Sequence, residues 1–194
     1  ADIFHIDLWR GGENIFCDAG TYSYNSTPDL AWYFSETAGH NTVEFDSRAQ
    51  MPKLSRFLFG SWLTADNFSF TNERSGSVTV ASSYTDYMNV KHSREITLGE
   101  ECVKIVDDVS GFKNKAVLRW RLNSDSWNIQ NKIDGILLSD SSDRLSIKSD
   151  VSIVRAELCK GWKSLFYMRK TYIDVLEVEI SSAGRFITEY RWRT

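Results

Sequence analysis

A chain of 194 residues with a formal net charge of −3, both signs well mixed, fits a single domain and excludes the basic footprint of a nucleic-acid binder. No stretch approaches the ~18 consecutive apolar residues of a membrane helix, and no charged-then-apolar leader opens the chain. Cys17, Cys102 and Cys159 are scattered, with no Cys-x-x-Cys pair, which argues against a sulfur-ligated zinc site and against a full disulfide framework.

In chain order, Phe4, Ile6 and Leu8 alternate with His5, Asp7 and Trp9, which predicts a half-buried strand. Gly11-Gly12 supplies its turn and residues 14–17 its hairpin partner. One short helix is predicted over 28–37, with Thr27 as cap, Pro28 in the first helical position and Gly39 just beyond the end. Further strands are expected over 78–80, 91–97, 102–106, 117–122, 135–138, 145–148, 151–158, 174–180 and 186–192, with a turn at Gly99. The Asp/Ser-rich stretch 134–150 reads as two short strands with solvated turns. Strands of about 5–6 residues with frequent turn signals predict an all-β fold, a two-sheet antiparallel β-sandwich forming one domain over 1–194.

Chemistry concentrates near the start of the chain. Asp18 follows the apolar run Ile15-Phe16-Cys17 and precedes Ala19-Gly20, so its carboxylate sits where a strand leaves the sheet. His40, one of three histidines, lies where Gly39-His40-Asn41-Thr42-Val43 enters a strand. Taken singly, Asp18 reads as a turn residue capping its own backbone, and His40 as a hydrogen-bonded strand-start residue. Cys17 reads as a small core residue. Tyr22, Tyr24 and Tyr33 flank this region, where they serve either to stack on sugar rings or as core and interface aromatics.

Taken together and in order, these pieces resemble a known family. Ala1-Asp2, the Asp7-Leu8-Trp9 strand end before a glycine turn, Asp18-Ala19-Gly20-Thr21-Tyr22-Ser23-Tyr24 and His40-Asn41-Thr42-Val43 are similar to the C-terminal β-domain of heparinase II/III-type polysaccharide lyases. Gln50-Met51 and Arg56-Phe57-Leu58 extend the match. Beyond residue 63 it thins to Arg94, a turn over 106–111 and Trp120-Arg121-Leu122. Ala19 departs from the proline common after the aspartate.

The resemblance implies a zinc ion held by Asp18 and His40. The family's third ligand, the histidine of its His-Ala-Asp motif, would fall one residue before Ala1, so the chain is expected to belong to a longer protein. Within this chain the ligand set would be completed by water, by His5 or by a neighbouring chain. Asp2 would orient a ligating histidine, and Tyr22, Tyr24, Tyr33 and Asn41 would contact substrate. Asp7, His5 and His92 read as structural. The implied function is the C-terminal domain of a lyase that cleaves a uronate-containing acidic polysaccharide by β-elimination, exported to the periplasm or secreted. The catalytic acid and base would lie in an N-terminal α/α-toroid and just upstream of Ala1, so the 194-residue chain alone is expected to be inactive. The alternative is a non-catalytic carbohydrate-binding or structural β-sandwich module. Neither nucleic acid nor membrane is an expected partner.

Overall fold

The structure, a computed structural model, describes residues 2–55, 58–73, 76–123, 126–132, 135–139 and 143–192. Two antiparallel sheets face each other. The first contains β1 (Leu8–Arg10), β2 (Glu13–Phe16), β3 (Val43–Phe45), β8 (Ala116–Leu122), β12 (Ile153–Phe166) and β13 (Arg169–Ile180). Its order is β1-β2-β8-β13-β12, with β3 also paired to β8. The second contains β4 (Asp66–Asn72), β5 (Val78–Thr85), β6 (Lys91–Leu98), β7 (Cys102–Ser110), β9 (Asn128–Lys132), β10 (Gly135–Ser139), β11 (Arg144–Ser149) and β14 (Gly184–Arg191). Its order is β4-β5-β6-β7-β14-β11-β10-β9. The all-β sandwich expected from the strand pattern is the observed fold.

Period-two alternation sends one face of each sheet inward. Phe16, Leu118, Trp120 and Leu176 from the first sheet are buried in one cluster with Ile105, Leu145, Phe186 and Tyr190 from the second. Trp120 reaches across and donates its indole N–H to Thr188 Oγ1 at 3.1 Å, so the largest core side chain leaves no polar atom unpaired. The outer face of β8 is covered as well, by the segment that carries the helix and His40. There Arg121 is fully buried, donating to Tyr33 Oη at 3.1 Å and to the Trp162 carbonyl.

Several local expectations need correction. The first strand begins only at Leu8, because Phe4 adopts a left-handed backbone (φ 65°) that breaks the extended run. The helix α1 spans Pro28–Tyr33, and a separate 3₁₀ turn occupies Thr37–Gly39. Ser35 Oγ donates to the Ala31 carbonyl at 2.8 Å, the kind of side-chain bond that competes with helix continuation. Thr27 makes no side-chain cap bond. Residues 106–110 are strand, not turn; the chain leaves β7 only at Gly111 (φ 87°). Strands β4 and β9, both polar and largely exposed, are absent from the sequence-based expectation. The 134–150 stretch does form two strands, although Asp134 and residues 140–142 lie outside the described residues.

Candidate metal centre

Asp18 and His40 meet because the chain leaves β2 and enters β3 on neighbouring paths over β8. Cys17 N–H donates to the Arg121 carbonyl at 2.9 Å, and Ala19 N–H donates to the Gly39 carbonyl at 3.1 Å. Asp18 Oδ1 accepts the Gly20 N–H at 2.6 Å, the self-capping turn read from the sequence. Gly20 is required there. Its φ is +78°, and a Cβ would lie 2.1 Å from the Ser164 carbonyl oxygen. The other carboxylate oxygen, Oδ2, lies 2.6 Å from His40 Nδ1.

His5 joins them. Its Nε2 lies 3.5 Å from Asp18 Oδ2, and the two imidazole rings are 5.4 Å apart at 70°. One potential donor atom from each of His5, Asp18 and His40 lies within 4.8 Å of the others. The hydrogen bonds give the two histidines different roles. The Asn41 N–H donates to His5 Nδ1 at 2.9 Å, so a neutral His5 carries its proton on Nε2. That nitrogen is buried with no hydrogen-bond partner of its own, and the Asp18 carboxylate is the charge it faces. His5 is thus set up as a proton donor toward Asp18. His40 Nδ1 likewise carries the proton of its 2.6 Å bond to the ionised Asp18, so an ion at this pair would have to displace that proton or bind His40 through Nε2. With that exchange the donor set is Asp18 and His40.

Burial lowers the His5 pKa, against the pull of the Asp18 charge. Burial would raise the Asp18 carboxyl, but the hydrogen bond and charge of His40, with the Gly20 N–H, hold it below the usual carboxylate value. An ionised carboxylate beside an imidazole is the protonation state a hard or borderline cation needs.

The remaining residues singled out from the sequence divide clearly. Asn41 is fully buried and has no face left for a substrate. Its side-chain amide donates to the carbonyls of Ile6 (2.8 Å) and Cys17 (3.2 Å), while its Oδ1 accepts the Arg121 N–H at 2.6 Å. It braces the three segments that converge on the site. Tyr33 is likewise engaged: its hydroxyl accepts from Arg121 and from the Trp162 N–H at 2.8 Å. Tyr22 and Tyr24 line a cleft of about 270 Å³ together with Phe34, Lys53 and Phe59. Asp2 is exposed, and only its backbone carbonyl reaches the cluster, accepting the His5 N–H at 2.9 Å. No hydrogen bond joins its carboxylate to a histidine among the described residues. Asp7 accepts from Asn14, as a structural residue would. Ala1, Arg56 and Phe57 lie outside the described residues.

Sequence reasoning offered His5 as one of three completions of the ligand set while reading it as structural, and it missed the buried side chains beneath it. Gln50 pairs with both the N–H and the carbonyl of Ile3, at 3.0 and 3.1 Å. Only the Gln50-Met51 match hinted at this position.

The comparisons with known proteins agree with this architecture. Among solved structures, the heparan sulfate lyase HepC of Pedobacter heparinus matches with a TM-score of 0.74 at 16% identity, over 98% of this chain and 30% of that one. A heparinase III gene product gives 0.72 at 21% identity, over 95% and 29%. Another heparinase III structure gives 0.70 at 16%, over 96% and 29%. At these identities the likeness is one of fold, and this chain spans less than a third of the length of each. No curated protein matches the sequence. The family model described as "Heparinase II/III-like, C-terminal" matches residues 1–192, and the chain therefore belongs to that family.

Proposed function

We propose that this domain is the C-terminal part of a polysaccharide lyase that cleaves a uronate-containing acidic glycan by β-elimination, holding a zinc ion through Asp18 and His40 and forming one wall of the substrate cleft. The observation that carries this reading is the approach of Asp18 Oδ2 to His40 Nδ1 at 2.6 Å, at two strand ends that bear the family's motifs. The donor set fits the ion: imidazole and carboxylate are good zinc ligands, and two of them leave positions for water or further donors. When bound, the zinc supplies a fixed positive charge at the cleft wall.

The chain's own side chains supply orientation. His5 Nε2–H faces Asp18 Oδ2 at 3.5 Å without a hydrogen bond, and its polar proton favours the carboxylate in that orientation. Tyr22 and Tyr24 offer ring faces to sugars, and Lys53 puts a cation in the same cleft for a uronate carboxylate or a sulfate. β-Elimination further needs a base for the proton α to the carboxylate and an acid for the leaving oxygen. These would come from an N-terminal domain of the longer protein, expected to be an α/α-toroid, and export to the periplasm or beyond would bring it to its substrate.

The longer protein should convert an acidic polysaccharide to products whose new double bond, conjugated to the uronate carboxylate, absorbs in the ultraviolet. The 194-residue chain alone should yield none. His40→Ala in the longer protein should lower zinc affinity and activity by more than the about 10- to 100-fold that follows loss of a ligand's hydrogen-bonding partner. Full activity with full zinc occupancy in that variant would overturn the reading. One observation favours the alternative of a glycan-binding module. Trp162 stacks on Tyr172 at 3.8 Å with Lys170 Nζ 4.0 Å above the indole, a platform suited to sugars. Glycan binding with no eliminated product from the longer protein would select it.

A further inference from the structure

We propose that Arg94 is the positioning residue of the candidate metal centre, gripping the backbone beside both histidines at once; this rests on the metal reading above. Arg94 lies on β6 in the opposite sheet, 2% exposed, and points through the sandwich toward the Asp18 cluster. Its guanidinium is set by Asp107, itself fully buried, through Nε–Oδ1 at 2.6 Å and Nη2–Oδ2 at 3.0 Å. That two-point clamp fixes the fork in the plane it needs. The remaining nitrogen, Nη1, donates to two backbone carbonyls: Phe4 and, at 2.8 Å, Asn41. Phe4 precedes His5 and Asn41 follows His40. A single nitrogen thus joins the two segments from which the imidazoles project.

The backbone at Phe4 explains why such a grip is needed. A bulky residue at φ 65° is strained and persists only when its surroundings over-determine it. Here the surroundings are the Arg94 hydrogen bond, the two Gln50 bonds to Ile3 on the preceding residue, and aromatic contacts of Phe4 with Tyr84 and His92 at 5.2 Å. The left-handed kink turns His5 out of the strand direction and under Asn41, whose N–H then fixes the His5 tautomer. Lysine cannot replace this function, because a point charge cannot hold Asp107 at two atoms and reach two carbonyls.

The test is Arg94→Lys in the 194-residue chain, read by hydrogen exchange at the Asn41 amide and by ring ¹⁵N spectra of His5 and His40. Leu145→Ala, a cavity in the same core away from the site, serves as the control for loss of stability alone. We expect exchange at Asn41 to accelerate at least ten-fold and the His5 ring signals to leave the Nε2–H pattern in Arg94→Lys but not in Leu145→Ala. Equal effects in both variants, or none in Arg94→Lys, overturn the proposal. Should Arg94→Lys not fold, the double variant Arg94→Gln/Asp107→Asn removes both buried charges together and is judged by the same two signals. The outcome stands apart from the metal reading: a chain that binds no zinc would defeat that reading while the amide and ring signals still report on Arg94.

Discussion

At the scale of single residues, the polar groups around Asp18 and His40 are distinguished by how fully they are satisfied. Asn41 answers two carbonyls and one N–H with no exposure, so Asn41→Leu should strand all three. An unpaired buried group costs about 1–3 kcal/mol, and a loss of at least about 3 kcal/mol is expected in urea unfolding, against a small change for the exposed Asp2→Asn. His92 offers a pH test in the buried layer behind the candidate metal centre. It is fully buried against Asp107, Arg94 and the Tyr84 hydroxyl, and burial lowers its pKa. The unfolded chain then takes up a proton near pH 6.5 that the folded chain refuses, so stability should fall as pH drops below about 6.5. Burial opposes the charge of Asp107, but Arg94 and His92 outweigh it and hold its pKa below the ordinary value. Its share of stability is present above about pH 3.9 and lost below. Unfolding midpoints between pH 7.5 and 5 should therefore decline less steeply in His92→Gln; an unchanged slope would count against the buried neutral imidazole. The pairing of Asp18 with His40 was legible from two motifs read together. His5 was legible only as one of three alternatives, because its placement depends on a backbone kink at Phe4 and on Arg94, which is distant in sequence.

At the scale of elements, legibility followed burial. Strands such as β7 and β14, which alternate inward and outward, announce themselves as apolar alternation. Strand β4 is exposed along its whole length, and β9 is nearly so, so neither carries that signal; each sits at an edge of the second sheet. The helix is shorter than its composition suggests because proline marks its start, whereas its end is decided by side-chain bonds such as that of Ser35. Two glycine turns separate tolerance from necessity. Gly12 has a φ of +86° with nothing within 4 Å of where a Cβ would lie, so Gly12→Asn should change stability by under about 0.5 kcal/mol, since asparagine enters the left-handed region readily. Gly20→Ala drives a Cβ to 2.1 Å from the Ser164 carbonyl oxygen. It should cost at least about 2 kcal/mol in thermal or urea unfolding, and should displace Asp18 from His40.

At the scale of the whole molecule, the sandwich places strand ends from β2 and β3 side by side over a central strand and braces them from the opposite sheet through Arg94. Two-sheet architecture followed from the strand spacing; family membership followed from motif order and is carried by the match over residues 1–192. What spacing alone does not encode is the long-range polar wiring, since each bond joins residues with no local pattern in common. The central claim is that Asp18 and His40 hold an ion. The most direct measurement is anomalous scattering at the zinc edge from crystals grown with zinc, compared with crystals of His40→Ala. The expected result is a peak bonded to both an Asp18 carboxylate oxygen and a His40 ring nitrogen, absent in the variant. At saturating zinc, a hydrogen-bonded Asp18–His40 pair with no peak between them, or a peak that survives His40→Ala, would contradict it.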